Sequence, residues 1–159
     1  MFLAIGCASP ITRDAVMSNP DISAAYHQIS QAEAMAVVQH QMENTVKSPW
    51  WIKGCTTSGD VDTFSVNTSG IVIHSHDLID PRPAPGYGYR YVKPETIPIY
   101  KKPTTIAFSD IKRIGKSGGR FYVLYNDQEW LCAFDSFNMD SMEKKKFLAS
   151  LFLLCPNAH

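Results

Sequence analysis

The last stretch of the chain restricts the fold most. Asp140 and Glu143 stand at capping-box spacing, and behind them Phe147, Leu148, Leu151, Phe152 and Cys155 recur at i, i+1, i+4, i+5 and i+8 before Pro156. That spacing predicts a helix with one broad apolar face, started by a side-chain cap and stopped by proline. Such a face has to be buried against other elements. The residues before it change period. From Trp50 onwards apolar residues alternate, which predicts strands. A chain of 159 residues holds one domain of this kind with room for a real core.

Residues 50–57 read as a strand. Residues 63–67 and 70–76 read as a hairpin, with Phe64 and Val66 and then Ile71 and Ile73 on one face and the turn near Thr68-Ser69-Gly70. After the Pro-rich stretch, Ile106 and Phe108 point one way and Ile111 and Ile114 begin the next strand. Residues 115–119, Gly-Lys-Ser-Gly-Gly, form a turn, and residues 120–125 and 129–134 form a second hairpin around Asn126-Asp127. Towards the N-terminus, residues 22–44 contain no Gly or Pro and are rich in Ala, Gln, Glu and Met, which predicts a helix over 21–47 capped by Asp21. Its apolar stripe is thin (Ile22, Ala25, Ile29, Ala32 and Ala36, with Met35, Val38 and Met42 beside it), so it packs on the outside of the domain or spaces it from something else. Ser48-Pro49 ends it.

Charge is unevenly placed although the net charge is zero. Between residues 82 and 120 basic side chains dominate, and the flanking segments are acidic. Within this region, 80–103 holds six of the ten prolines and four of the seven tyrosines, so regular pairing is interrupted by a long loop or ragged edge. Tyr87, Tyr89 and Tyr91 alternate, the pattern expected of a short strand within it. Arg82, Tyr87, Tyr89, Arg90, Tyr91, Lys93, Lys101 and Lys102 make up a candidate binding surface for an anionic lipid surface or another protein. Basic side chains interleaved with aromatics also suit single-stranded nucleic acid, but no nucleic acid is expected, because the run before Cys7 resembles a bacterial lipobox and that resemblance implies a location outside the cytoplasm.

Four short strands running into one amphipathic helix resemble a pleckstrin-homology-like domain, in particular its GRAM and bacterial variants. Residues 106–114, the hairpin 121–134 and the helix 142–154 carry the resemblance. It implies an α+β fold: a bent antiparallel barrel or roll of about seven strands, plugged by the C-terminal helix, with an extra N-terminal helix. The domain would span 48–157, with 80–103 as an insertion. An open antiparallel sheet with helices on one face is the alternative. The run Ala4-Ile5-Gly6-Cys7, followed by the small, turn-prone Ala8-Ser9-Pro10, resembles the lipobox of bacterial lipoproteins. That resemblance implies cleavage before Cys7, lipid on Cys7, a tether over 7–20 and a location in the cell envelope. There the domain would face the periplasm, from the outer membrane in preference to the inner. Residues 1–6 would be the end of a signal peptide whose basic and apolar start lies upstream. With Cys7 unmodified, an intracellular adaptor is the alternative.

No catalytic signature appears. His74 and His76 stand at i, i+2 on a strand and so share a face where one metal ion could bridge them. The other histidines, His27, His40 and His159, lie in the helix or at the terminus, so the pair reads as a polar strand end; a small metal-dependent hydrolase is the competing reading. Gly115-Lys116-Ser117 is followed by a strand and lacks the upstream glycine of a phosphate loop. Cys55, Cys132 and Cys155 show no CxxC spacing and allow at most one disulfide, and Cys132 and Cys155 suit small core positions. The resulting expectation is a non-enzymatic, lipid-anchored envelope protein with a binding domain, no cofactor and no metal.

Overall fold

The computed structural model describes residues 9–47, 60–79, 96–125, 129–135 and 139–159. The elements are β1 (Ser9–Ile11), α1 (Arg13–Met17), α2 (Pro20–Gln28), α3 (Gln31–Lys47), β2 (Asp60–Asn67), β3 (Gly70–Ile79), β4 (Ile97–Tyr100), β5 (Thr104–Ala107), β6 (Ile111–Ser117), β7 (Arg120–Tyr125), β8 (Glu129–Asp135) and α4 (Ser141–Leu154). All strand pairs are antiparallel. One sheet has the order β1-β6-β7-β8. In the other, β3 is central, with β2 on one edge and β4 and β5 end to end along the opposite edge. The fold is α+β, as expected. Among the described residues the two sheets do not close into a barrel. The chain passes from β5 to β6 through a 3₁₀ turn at Phe108–Asp110, and no ladder links the sheets there.

The alternating hydrophobics act as predicted. Phe64, Ile71, Ile73 and Ile106 are buried from one sheet, and Ile111, Ile114, Phe121 and Val123 from the other. Ile111 and Ile114 both face inward although three residues apart, because a bulge between Ile111 and Arg113 shifts the register. The expected turn over 115–119 is shorter: β6 continues to Ser117, and Gly118 (φ +55°) and Gly119 (φ +78°) make the two-residue connection. Two successive positive φ values are what a tight hairpin of this twist demands, and glycine supplies them without strain.

The C-terminal helix matches the sequence closely. The Asp140 side chain accepts from the Glu143 N–H at 2.8 Å and the Glu143 carboxylate accepts from the Asp140 N–H at 3.0 Å. Phe147, Leu151 and Phe152 are fully buried, and Phe147 meets Phe121 with ring centroids 5.5 Å apart. Burial of this size contributes roughly 1.5–3 kcal/mol per side chain.

The N-terminal region corrects two expectations. The helix over 21–47 is two helices with a break at Ile29-Ser30. Asn19, not Asp21, caps the first: its Oδ1 accepts from the N–H groups of Asp21 and Ile22, and Pro20 occupies the position where a missing N–H costs nothing. Ser30 and Glu33 form a second reciprocal capping box, at 3.1 and 3.0 Å. The buried stripe of α3 is Ala34, Val38 and Met42, which packs towards α4 and β2.

The tether expected over 7–20 is folded from Ser9 onwards. β1 pairs with β6 in the register Ser9↔Lys116 and Ile11↔Ile114. Thr12 caps α1, and Arg13 reaches the far end of the chain. Its Nε donates to Ala158 O (2.9 Å), and one terminal nitrogen donates to Phe152 O (3.1 Å) and Cys155 O (2.7 Å). The guanidinium also lies over the Phe152 ring, 5.1 Å from its centroid. A cation here satisfies the orphan carbonyls of the helix end and complements its dipole.

Candidate functional site

The sequence pointed to the basic, Pro/Tyr-rich insertion. Of its candidate residues, Lys101 and Lys102 fall among the described residues; Arg82, Tyr87, Tyr89, Arg90, Tyr91 and Lys93 lie outside them, as do Cys7 and the strand expected over 50–57. What the structure does position is the root of that insertion, a two-stranded ribbon made by the end of β3 and by β4. Its register is His76↔Tyr100, Asp77↔Ile99, Leu78↔Pro98 and Ile79↔Ile97. The expectation of irregular chain through residue 103 is thereby revised: Ile97–Tyr100 is a strand, and Lys101 continues the pairing by donating its backbone N–H to Ser75 O at 2.9 Å.

Pro98 fits the ladder for a specific reason. The Lys101–Ser75 bond makes every second β4 residue, Ile99 and Ile97, face β3 with its N–H, so the Pro98 nitrogen lies on the outer edge where no ladder bond is lost. The same proline blunts that edge against pairing with another strand.

The ribbon is apolar on both faces and exposed. Leu78, Ile79, Ile97 and Ile99 are 42–51% exposed and Tyr100 is 74% exposed. By strand alternation, Ile79, Ile97 and Ile99 continue the face that carries the buried Ile71, Ile73 and Ser75, beyond the point where the core ends. At that boundary the Lys101 ammonium pairs with Asp77 at 3.1 Å, and Lys102 beside it is exposed. Contiguous exposed hydrophobics, unlike singly scattered ones, mark contact surfaces.

His74 and His76 lie together on the opposite face of β3, as the alternation predicted. A bulge between Val61 and Thr63 in β2 turns Asp62 towards them, and the Asp62 carboxylate pairs with His76 Nδ1. The Tyr100 ring sits 5.9 Å from the His76 ring. The bulge is the element that sequence reasoning missed, because a register shift of one residue leaves little trace in a polar strand start such as Gly59-Asp60-Val61-Asp62. Among the described residues, no group of three or more His, Cys, Asp or Glu side chains is placed to hold a metal ion.

Elsewhere, two surface grooves flank the first turns of α4. One, of about 450 Å³, is lined by Ala25, Ile29 and Met142, with the Asp21–Lys145 ion pair (2.6 Å) at its rim. The other, of about 380 Å³, lies between α3 and α4 and includes His40, Gln41 and Phe147. Glu33 beside the first is held below the usual carboxylate range by the backbone N–H and hydroxyl of Ser30, which is its capping role and needs no ligand. Cys155 is buried, and desolvation pushes its thiol up to about 12 against a weak opposing pull from Arg13, so it is an inert core residue at neutral pH. Among the described residues, no helix is long and apolar enough to cross a membrane. No known protein family, characterised protein or solved structure matches the chain.

Proposed function

We propose that this chain is a non-enzymatic, lipid-anchored protein of the bacterial cell envelope, whose pleckstrin-homology-like domain binds another envelope protein through the β3–β4 ribbon. The observation that carries the binding role is the ribbon itself: five large hydrophobic side chains exposed in four successive cross-strand rows, with Lys101 and Lys102 at its root. A membrane-tethered domain needs little affinity of its own, because tethering raises the local concentration of its partner. A blunted edge with an apolar face suits side-chain packing against a folded partner better than strand addition. The pleckstrin-homology-like reading is supported by the order of a β2-β3-β5 sheet, then a β6-β7-β8 sheet, then a terminal helix whose Phe147 packs on Phe121. The lipid anchor rests on the lipobox-like run before Cys7.

The test of the binding role is a photo-crosslinking amino acid placed at Tyr100 in the native host, with Ser69 in the β2–β3 turn as the control position. The proposal expects one discrete crosslinked band from position 100, lost on Ile97→Ser/Ile99→Ser, and none from position 69. Equal crosslinking from both positions would refute it. The Asp62–His76 pair keeps one competing reading concrete, a metal-dependent hydrolase centred on His74 and His76; a His74→Ala/His76→Ala variant with unchanged zinc content and unchanged phenotype would end it.

A further inference from the structure

Folding of residues 9–17 changes what an anchor on Cys7 would do. As a flexible tether, the chain from Cys7 to Asp21 would hold the domain roughly 20 Å away, from about 5–6 Å times the square root of its length. In the structure β1 begins at Ser9, so only two peptide steps separate Cys7 from a strand fixed in a sheet, a reach of at most about 7 Å. The Debye length at physiological salt is about 8 Å. The two arrangements therefore fall on opposite sides of electrostatic range: the tethered domain is screened from the surface charge of the bilayer, and the folded one is within its reach.

Register identifies which edge comes close. Ser9 lies opposite Lys116, at the end of the sheet where β6 turns into β7. Lys116 is exposed, and its ammonium lies over the ring of the buried Phe121, 5.9 Å from the centroid. In the following turn Gly118 is exposed, and a Cβ placed on it meets no heavy atom within 4 Å. Arg120 follows, paired in register with Ser117 on β6 and Asp135 on β8. Ser9 and Pro10 are themselves exposed.

Resting on the lipid-anchor reading of Cys7, we infer that this end of the four-stranded sheet, comprising Ser9, Lys116 and the turn to Arg120, lies directly against the headgroups of an anionic bilayer. The domain is then held in a fixed orientation on the membrane and does not swing on a leash. The occupant follows from the length of chain between the anchor and the fold and from the exposed ammonium of Lys116 opposite Ser9. The ribbon is a separate surface, left to a protein partner.

The experiment is an amine-acetylation footprint of the full lipidated protein, purified from membranes. It is compared in detergent micelles and in vesicles of phosphatidylethanolamine with phosphatidylglycerol, with lysine reactivities read by mass spectrometry. Lys102, exposed at the root of the ribbon, is the internal reference. The inference expects the reactivity of Lys116 to fall several-fold in vesicles while Lys102 is unchanged. Equal change at the two lysines, or selective protection of Lys102, would overturn it. The same spectra report the mass of the N-terminal peptide. An unacylated Cys7 would bring down the anchor reading itself, whereas an acylated Cys7 with an unprotected Lys116 would bring down only the orientation.

Discussion

Arg13→Ala tests whether the N-terminal arm is part of the fold. Arg13 donates three hydrogen bonds, at 2.9, 3.1 and 2.7 Å, to the carbonyls of Ala158, Phe152 and Cys155 and lies over the Phe152 ring. Hydrogen bonds from a charged donor contribute about 1.5–3 kcal/mol each. These acceptors sit at a part-buried helix end that water can reach once the guanidinium is gone, so the bonds do not add fully. The equivalent of one to two of them, about 3 kcal/mol in all, is the expected loss. For a chain of this size that corresponds to a fall in Tm of about 6–12 °C. Arg13→Lys keeps the charge but loses the planar fork, and is expected to recover less than half of the difference. Urea titration followed by circular dichroism reads the change as a lower midpoint with an unaltered slope. Amide exchange at Ile11 should accelerate in the same variant as β1 leaves β6. A variant within about 0.5 kcal/mol of the parent, the range of an inconsequential surface change, would refute the clamp. It would return residues 9–20 to the role of a tether and remove the basis for a fixed orientation on the membrane.

Other predictions follow from single positions. Gly70 has φ +146° and a Cβ there would stand 2.0 Å from Ile106 O, so Gly70→Ala should destabilise by at least about 2–4 kcal/mol in the same titration, whereas Gly118→Ala, with open space around it, should cost only about 1–2 kcal/mol. Ser30→Ala removes the acceptor for the Glu33 N–H and should cost about 1 kcal/mol, read as a lower thermal midpoint. Because the Cys155 thiol is raised in the folded state, its contribution to stability is fully present below its ordinary value of 9.0 and is lost as pH rises from there towards about 12; Cys155→Ala should remove that part of the alkaline slope in a pH series of urea titrations. The native thiol should also resist a disulfide reagent at pH 8 until urea is added.

The elements legible in the sequence were those whose signals are local and redundant. α4 carried a capping box, a wide apolar face and a terminating proline together, and the β2–β3 hairpin carried alternation on both sides of Thr68-Ser69. The α2–α3 break was legible in principle from Ser30 and Glu33, but the Ala, Gln and Met around it are such good helix formers that the cap was hidden inside an apparently continuous helix. The folded arm was not legible. β1 contains only Ser9-Pro10-Ile11, and its stability comes from contacts some 100 residues away on β6 and about 140 residues away at the end of α4. Nothing in a three-residue strand announces such partners. The same holds for the candidate site. His74 and His76 were placed correctly on one face, yet the pairing of His76 with Asp62 depends on a bulge, a property of two strands in register. β4 was hidden because Pro98 argues against a strand until the edge on which its nitrogen lies is known.

The lipid anchor is the proposal on which location and orientation both rest. It is tested most directly by the intact mass of the N-terminal peptide from protein purified out of the membrane fraction of its native host. The account predicts a peptide beginning at Cys7 and heavier than its sequence by the mass of acyl groups, absent in a Cys7→Ser variant. A peptide that retains residues 1–6 with an unmodified Cys7 would contradict it.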